Sequence, residues 1–343
     1  MEIKYWKYEL LLKHKFGISY NSRKSTPIII VRLKQGSYVG FGEASLPPYL
    51  TETQESVIEF IDRLKLSDIN SFEELIFLEN EIDKISAHDN AAKAAVSIAL
   101  HDLLGKISAK PCYSLYKITP QQLPYTSFTI GIDTPEIIIE KISEAEPYSI
   151  LKVKLGTEND KKIIETIRSK TDKPLYVDVN QGWDDKHYAL DFIQYLAENN
   201  VLLIEQPFNI IKNDDSAWLS ERSPIPIIAD ESVQTIVDLD KIKGCFTGIN
   251  IKLMKCGGVY DAYKMILRAR EYKMKIMLGC MTESSCAISA AVHLVSLADY
   301  ADLDGNLLIE NDPFVCQTVV DGRLQISEGN GLGIEPVKEF LNN

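Results

Sequence analysis

No apolar run in this chain approaches the roughly 20 residues needed to cross a bilayer. No C-x-x-C pair occurs among its six cysteines, Cys112, Cys245, Cys256, Cys280, Cys286 and Cys316. Scattered in this way, the cysteines read as reduced thiols rather than a disulfide framework. The start, Met1-Glu2-Ile3-Lys4-Tyr5-Trp6, lacks the apolar region of a signal peptide. Together these features predict a cytoplasmic protein. Positive charge is in deficit, 37 Lys and Arg against 49 Asp and Glu, a net −12. Nucleic acid and anionic membranes are therefore poor partners, since both are negative. Linkers, low-complexity stretches and short-period repeats are also missing. What is present is a 343-residue chain, 45% apolar and 25% charged, enough for a full core in about two domains.

The first third reads as strands followed by helices. Runs 2–12 and 26–43 are strand-like, with Ile28-Ile29-Ile30-Val31 the clearest and Lys34-Gln35-Gly36-Ser37 a hairpin turn. Helical patterns begin at Thr53-Gln54-Glu55-Ser56, at Ser71 with Glu74 three residues on, and at Asn90, whose Ala-rich helix should stop at Gly105. Such segregation is an α+β pattern. From about residue 124 the rhythm alternates. Strand-like runs at 125–130, 149–155, 175–178, 201–204, 226–229, 248–252, 275–278 and 300–302 are separated by amphipathic segments such as 158–169, 184–198, 259–272 and 284–298. Alternation implies parallel strands with right-handed crossovers. Eight of them favour a closed barrel, with an open doubly wound sheet as the alternative.

Barrel enzymes carry their chemistry at the C-terminal ends of the strands. Here three consecutive strands end in carboxylates, Asp178, Glu205 and Asp230. A single such carboxylate would ordinarily cap the following helix. Three on neighbouring strands about 5 Å apart converge and repel unless a cation neutralises them. Oxygen-only ligands with open positions favour Mg²⁺. Lys152 and Lys154, two residues apart, share one face of the second strand, and Lys252 ends the sixth, across the barrel. A metal would lie between opposed amines, an arrangement suited to removing a proton from one face of a carbon and returning one to the other.

These motifs resemble the enolase superfamily, in its muconate-lactonizing-enzyme subgroup, over nearly the whole chain. The resemblance implies an α/β fold, a modified TIM barrel (β/α)7β over 121–313. An α+β capping domain would span 1–120, completed by the C-terminal segment 314–343. It implies one Mg²⁺ per subunit on Asp178, Glu205 and Asp230, acid/base roles for Lys154 and Lys252, and electrostatic support from Lys152, with an enediolate intermediate. Sister enzymes with a histidine base are not matched, because His187 and His293 fall within helical patterns.

Within the subgroup, Asp302-Leu303-Asp304 is similar to the Asp-x-Asp with which dipeptide epimerases hold the substrate's α-ammonium. The run Gly279-Cys280-Met281-Thr282-Glu283-Ser284 is similar to the same enzymes. By this resemblance Thr129, Cys280 and Thr282 line the pocket. Loops after Phe16 and near Tyr49-Leu50-Thr51 close over it, and Arg23, in the first loop, reads a glutamate side chain. Cys280 is a wall residue rather than a nucleophile, and Glu43 is structural. The expected activity is epimerisation of L-Ala-D/L-Glu-type dipeptides at the C-terminal residue. Alternatives in the subgroup are o-succinylbenzoate synthase, N-acylamino-acid racemase and cycloisomerase, and, outside catalysis, a metal-dependent binding protein. A homo-oligomer stays open.

Overall fold

The computed structural model describes residues 1–18 and 21–338, and the side chains of these apart from 14–18, 21 and 22. Strands β1 (Glu2–Ile18), β2 (Asn21–Gln35) and β3 (Tyr38–Ser45) form an antiparallel meander. Ile28, Ile29, Ile30 and Val31 are all buried, so β2 is covered on both faces and reads as a continuous apolar run rather than an alternating one. The first hairpin is longer than its sequence suggests. Where a loop is expected after Phe16, the strands continue, and Phe16 pairs with Arg23 beyond a register shift that begins at Leu11. Arg23 therefore lies on β2. Residues 19 and 20 of the expected loop lie outside the described residues.

Helices α1 (Gln54–Asp62), α2 (Phe72–Asp83), α3 (Asn90–Ile107) and α4 (Cys112–Leu115) follow. Ser71 caps α2 as expected, its hydroxyl accepting from Glu74 N at 3.2 Å. The Ala-rich α3 runs two residues past Gly105 and lies against β3 at backbone contact. A Cβ on Gly42 would sit 1.9 Å from the Ala95 carbonyl oxygen.

All eight expected strands form one parallel sheet in sequence order: β4 (Ser127–Ile130), β5 (Ile150–Lys154), β6 (Leu175–Asp178), β7 (Val201–Glu205), β8 (Ile227–Ala229), β9 (Gly248–Ile251), β10 (Lys275–Gly279) and β11 (Tyr300–Asp302). The connecting helices are α5 (Pro135–Glu144), α6 (Asp160–Arg168), α7 (Lys186–Glu198), α8 (Asn213–Ser220), α9 (Ile236–Lys241), α10 (Leu253–Cys256), α11 (Val259–Glu271) and α12 (Ser285–Val292). The expected helix over 284–298 is broken, α12 ending at Val292 with a 3₁₀ turn at Val295–Leu297. The two edges meet at a parallel bridge between Thr126 and Ala301, so the sheet is a nearly closed barrel and not an open sheet.

Alternation along the strands splits the barrel interior into two layers. Tyr176, Leu203, Ile228 and Met277 form a buried apolar cluster, with Ile150 and Tyr300 packed against it. Two residues on along six of these strands stand Lys152, Asp178, Glu205, Asp230, Gly279 and Asp302. The last segment returns to the first unit. Phe314–Val315 pairs with Glu335–Pro336, Phe314 meets Phe41 edge-on at 5.4 Å, and Cys112 N donates to Gly331 O at 2.9 Å.

Because α3 and β3 touch through backbone at Gly42, Gly42→Ala should cost about 1–3 kcal/mol by overpacking. Chemical denaturation would measure it. An unchanged midpoint would mean that the α3–β3 contact yields.

Candidate active site

The carboxylates of Asp178, Glu205 and Asp230 offer oxygens that all lie within 4.8 Å of one another, and all three side chains are buried. Register explains this. Lys154 pairs with Asp178 and Asp178 with Glu205 across neighbouring strands, so their inward side chains stand side by side. Lys152 Nζ sits among them, 2.7 Å from Glu205 Oε2, 2.7 Å from Asp302 Oδ2 and 3.1 Å from Asp178 Oδ2. Burial opposes its charge, but those carboxylates outweigh burial and hold the ammonium well above the usual lysine range. Lys154 Nζ donates to Asp178 Oδ2 at 2.6 Å and Lys252 Nζ to Asp230 Oδ2 at 2.8 Å. The two lysines thus approach the triad from β5 and from the end of β9. Burial raises the Asp178 carboxyl, yet Lys154 and Lys152 bring it down to about 2. Glu205 goes the other way, raised to about 7 by burial and by the charge of Asp178.

A cavity of about 280 Å³ opens above this layer. Of the twelve expected site residues, all but Asp178 and Glu205 line it, and those two are buried against Lys152. Arg23, though on a strand, reaches it: Nη2 donates to Thr282 Oγ1 at 2.8 Å, Nε to Thr26 Oγ1 at 3.0 Å, and the guanidinium lies 5.6 Å over the Tyr49 ring. Cys280 is a wall residue, its thiol donating to Asp302 O at 3.2 Å, with burial pushing the thiol well up. Glu43 ties the N-terminal sheet to the mouth by accepting from Ser284 N and Oγ.

Asp302 and Asp304 close the barrel seam as well as facing the cavity. Asp302 Oδ1 accepts from Ser127 Oγ at 2.7 Å, and Asp304 Oδ2 accepts from Thr129 N at 2.7 Å. With Asp302 engaged by Lys152 and Ser127, Asp304 is the better receptor for an incoming cation. Burial and the charge of Asp302 raise its carboxyl to about 7, which marks it as short of positive charge.

Sequence reasoning missed two supports. Lys255, on α10, gives Asp230 a second ammonium at 2.6 Å and also donates to the Asp230, Val233 and Asn250 carbonyls. A helix of four residues has no periodicity to flag it. Asn250 Nδ2 donates to Glu205 Oε1 at 2.8 Å from the sheet interior. Gly279 makes room for it, since a Cβ there would lie 2.4 Å from Asn250 Oδ1. The histidines stay out: His293 is buried, and burial lowers it to about 4.

The triad fits a divalent cation. Its donors are all carboxylate oxygens, and Glu205 Oε2 faces Lys152 with no aligned hydrogen-bond donor. Saturating Mg²⁺ should raise the melting temperature, about 2.7 kcal/mol at a hundred times Kd, and chelation should reverse it. Glu205→Gln should lose the Mg²⁺-dependent shift. Without metal at neutral pH it should melt no lower than the native protein, because a raised carboxyl pKa means that the ionised form destabilises the fold. Thermal melts with and without Mg²⁺ check both. A full Mg²⁺ shift in the variant would contradict the site.

Comparison with known proteins places this geometry. Residues 136–340 match the description "Enolase C-terminal domain-like", and residues 6–116 match "Mandelate racemase / muconate lactonizing enzyme, N-terminal domain". The chain is 48% identical over 335 residues to the L-Ala-D/L-Glu epimerase of Bacteroides thetaiotaomicron, covering 97% of this chain and 88% of that one. A dipeptide epimerase from Enterococcus faecalis, solved with Mg and L-Leu-L-Tyr, superposes with a TM-score of 0.88 at 31% identity, covering 97% and 98% of the two chains. An N-succinyl Arg/Lys racemase from Bacillus cereus superposes at 0.91 with 29% identity, covering 99% and 96%. The match over 136–340, more than half of the sequence, joined to 48% identity along nearly its full length, establishes that the chain belongs to the mandelate racemase and muconate lactonizing enzyme family of the enolase superfamily.

Proposed function

We propose that this protein is a Mg²⁺-dependent dipeptide epimerase of the L-Ala-D/L-Glu type. It would invert the α-carbon of the C-terminal residue. The observation that carries the reading is a pair of lysines, Lys154 and Lys252, on separate metal-triad carboxylates, with a carboxylate pair at the barrel seam beside them. Asp178, Glu205 and Asp230 would hold the metal. Bound there, Mg²⁺ would supply positive charge that favours electron density on the substrate carboxylate.

The chain's own groups do the rest. One lysine takes the α-proton from its face of the substrate. The electron pair moves into the substrate carboxylate, giving an enediolate, and the other lysine returns a proton to the opposite face. A lysine acting as base must be neutral. The hold of Asp230 on Lys252, which with Glu205 keeps its ammonium well above the usual range against burial, therefore has to relax before Lys252 can act as base. Lys152 stays charged and neutralises the carboxylates around it. Asp304, with Asp302, receives the substrate ammonium, while Thr129, Cys280 and Thr282 form walls. Arg23, steadied by Thr26 and Thr282, reads a side-chain carboxylate on the C-terminal residue.

The capping unit is assigned to 1–120 with 314–343 and the barrel to 121–313, supported by the contacts of Phe314 and Gly331 with the first unit. A cytoplasmic location accords with six free thiols. The rival reading is an N-acylamino-acid racemase, favoured by the likeness to the B. cereus enzyme. It leaves the Asp302–Asp304 pair without an α-ammonium on the substrate, since acylation neutralises that nitrogen.

The ammonium separates the two readings. A charge-assisted bond to Asp304 contributes about 1.5–3 kcal/mol. N-acetyl-L-Ala-L-Glu should therefore show kcat/KM at least about tenfold below L-Ala-L-Glu. Asp304→Asn should weaken the free dipeptide and narrow that gap. Equal turnover of both substrates by the native enzyme would favour the rival.

A further inference from the structure

Beside the catalytic cavity lies a second one, of about 250 Å³. Thr129 and Leu308 line both, so the two spaces adjoin at the barrel seam. The walls of the second combine Leu12 from the first hairpin, Leu307 and Leu308 from the turn after Asp304, and Phe128 tilted against Tyr148 at 4.9 Å, with Lys13, Lys141 and Glu144 as its charged members. Lys13 fixes the rim by donating to Leu307 O at 2.9 Å. The cavity therefore abuts the carboxylate that the dipeptide reading assigns to the substrate ammonium, since Asp304 is bonded to Thr129 N.

We propose that this second cavity is the subsite for the side chain of the dipeptide's N-terminal residue, and that it takes an apolar side chain much larger than the methyl of alanine. The proposal rests on the dipeptide-epimerase reading above and widens its N-terminal residue beyond alanine. The ammonium and the N-terminal side chain leave the same carbon. If the ammonium is at Asp304, that carbon lies beside Thr129 and Leu308. The C-terminal residue is directed elsewhere, its carboxylate toward the triad and its side chain toward Arg23. The N-terminal side chain is left facing the seam, where the space beyond is walled by leucine and aromatic rings. Burying such a side chain gains about 25 cal/mol per Å² of apolar surface removed from water. The first hairpin would then serve both ends of the substrate, Arg23 one and Leu12 the other.

The test compares kcat/KM for L-Phe-L-Glu, L-Leu-L-Glu, L-Lys-L-Glu and L-Ala-L-Glu in the native enzyme and in Leu307→Trp, which fills only the second cavity. Native enzyme should turn over the Phe and Leu dipeptides at least as well as the Ala dipeptide. Leu307→Trp should lower their kcat/KM tenfold or more while leaving L-Ala-L-Glu within about threefold. Leu307→Phe, a smaller intrusion, should give a graded loss. Native preference for Ala or Lys at the N-terminal position by more than tenfold would overturn the proposal. So would an equal loss on all substrates in folded Leu307→Trp or Leu307→Phe. Failure to epimerise any dipeptide would instead refute the parent reading, so the two failures are distinguishable.

Discussion

One buried ammonium holds this site together. Lys152 lies within 3.1 Å of carboxylates from three strands, Asp178, Glu205 and Asp302. Removing its charge would leave three buried acids facing one another, a cost of several kcal/mol by the usual penalty for an unpaired buried charge. The metal triad and the seam aspartates are therefore not separate devices. Both share this counter-ion, and the strand register that brings Asp178 opposite Glu205 also fixes where the ammonium sits.

The two-layer interior follows from the same alternation. The apolar layer, with Tyr176, Leu203, Ile228 and Met277, fills the barrel and supplies packing energy. The charged layer two residues further on has a floor it does not need to build. The N-terminal unit and the C-terminal segment enclose that layer and bring Arg23 to the mouth. On the proposed reading, chemistry belongs to the strand ends, while substrate choice falls to residues on the long first hairpin and the turn after Asp304. The likeness to both a dipeptide epimerase and an N-succinyl Arg/Lys racemase fits this division.

Much of the barrel was legible because its signals are short and local. Each strand is an apolar run, and six of the eight end at or next to a charged residue that has no reason to be there unless the ends converge. The seam was legible only as a charge motif. That Asp302 and Asp304 also bond Ser127 and Thr129 depends on the first and last strands meeting, which no local pattern encodes. The extension of β1 to Ile18 was missed because residues 13–18 carry no alternation, and pairing with β2 imposes the strand. Lys255 escaped for a related reason: its role comes from packing behind Asp230, not from any periodicity of its own.

The central claim is that two lysines work on opposite faces of one carbon. The most direct measurement is α-proton exchange in D₂O with Mg²⁺, followed by NMR for L-Ala-L-Glu and L-Ala-D-Glu separately, using Lys154→Ala and Lys252→Ala. The account predicts that neither variant inverts the dipeptide, that each exchanges the C-terminal α-proton of one stereoisomer, and that the two variants retain opposite stereoisomers. Continued inversion by either variant, or equal exchange of both stereoisomers by one of them, would contradict it.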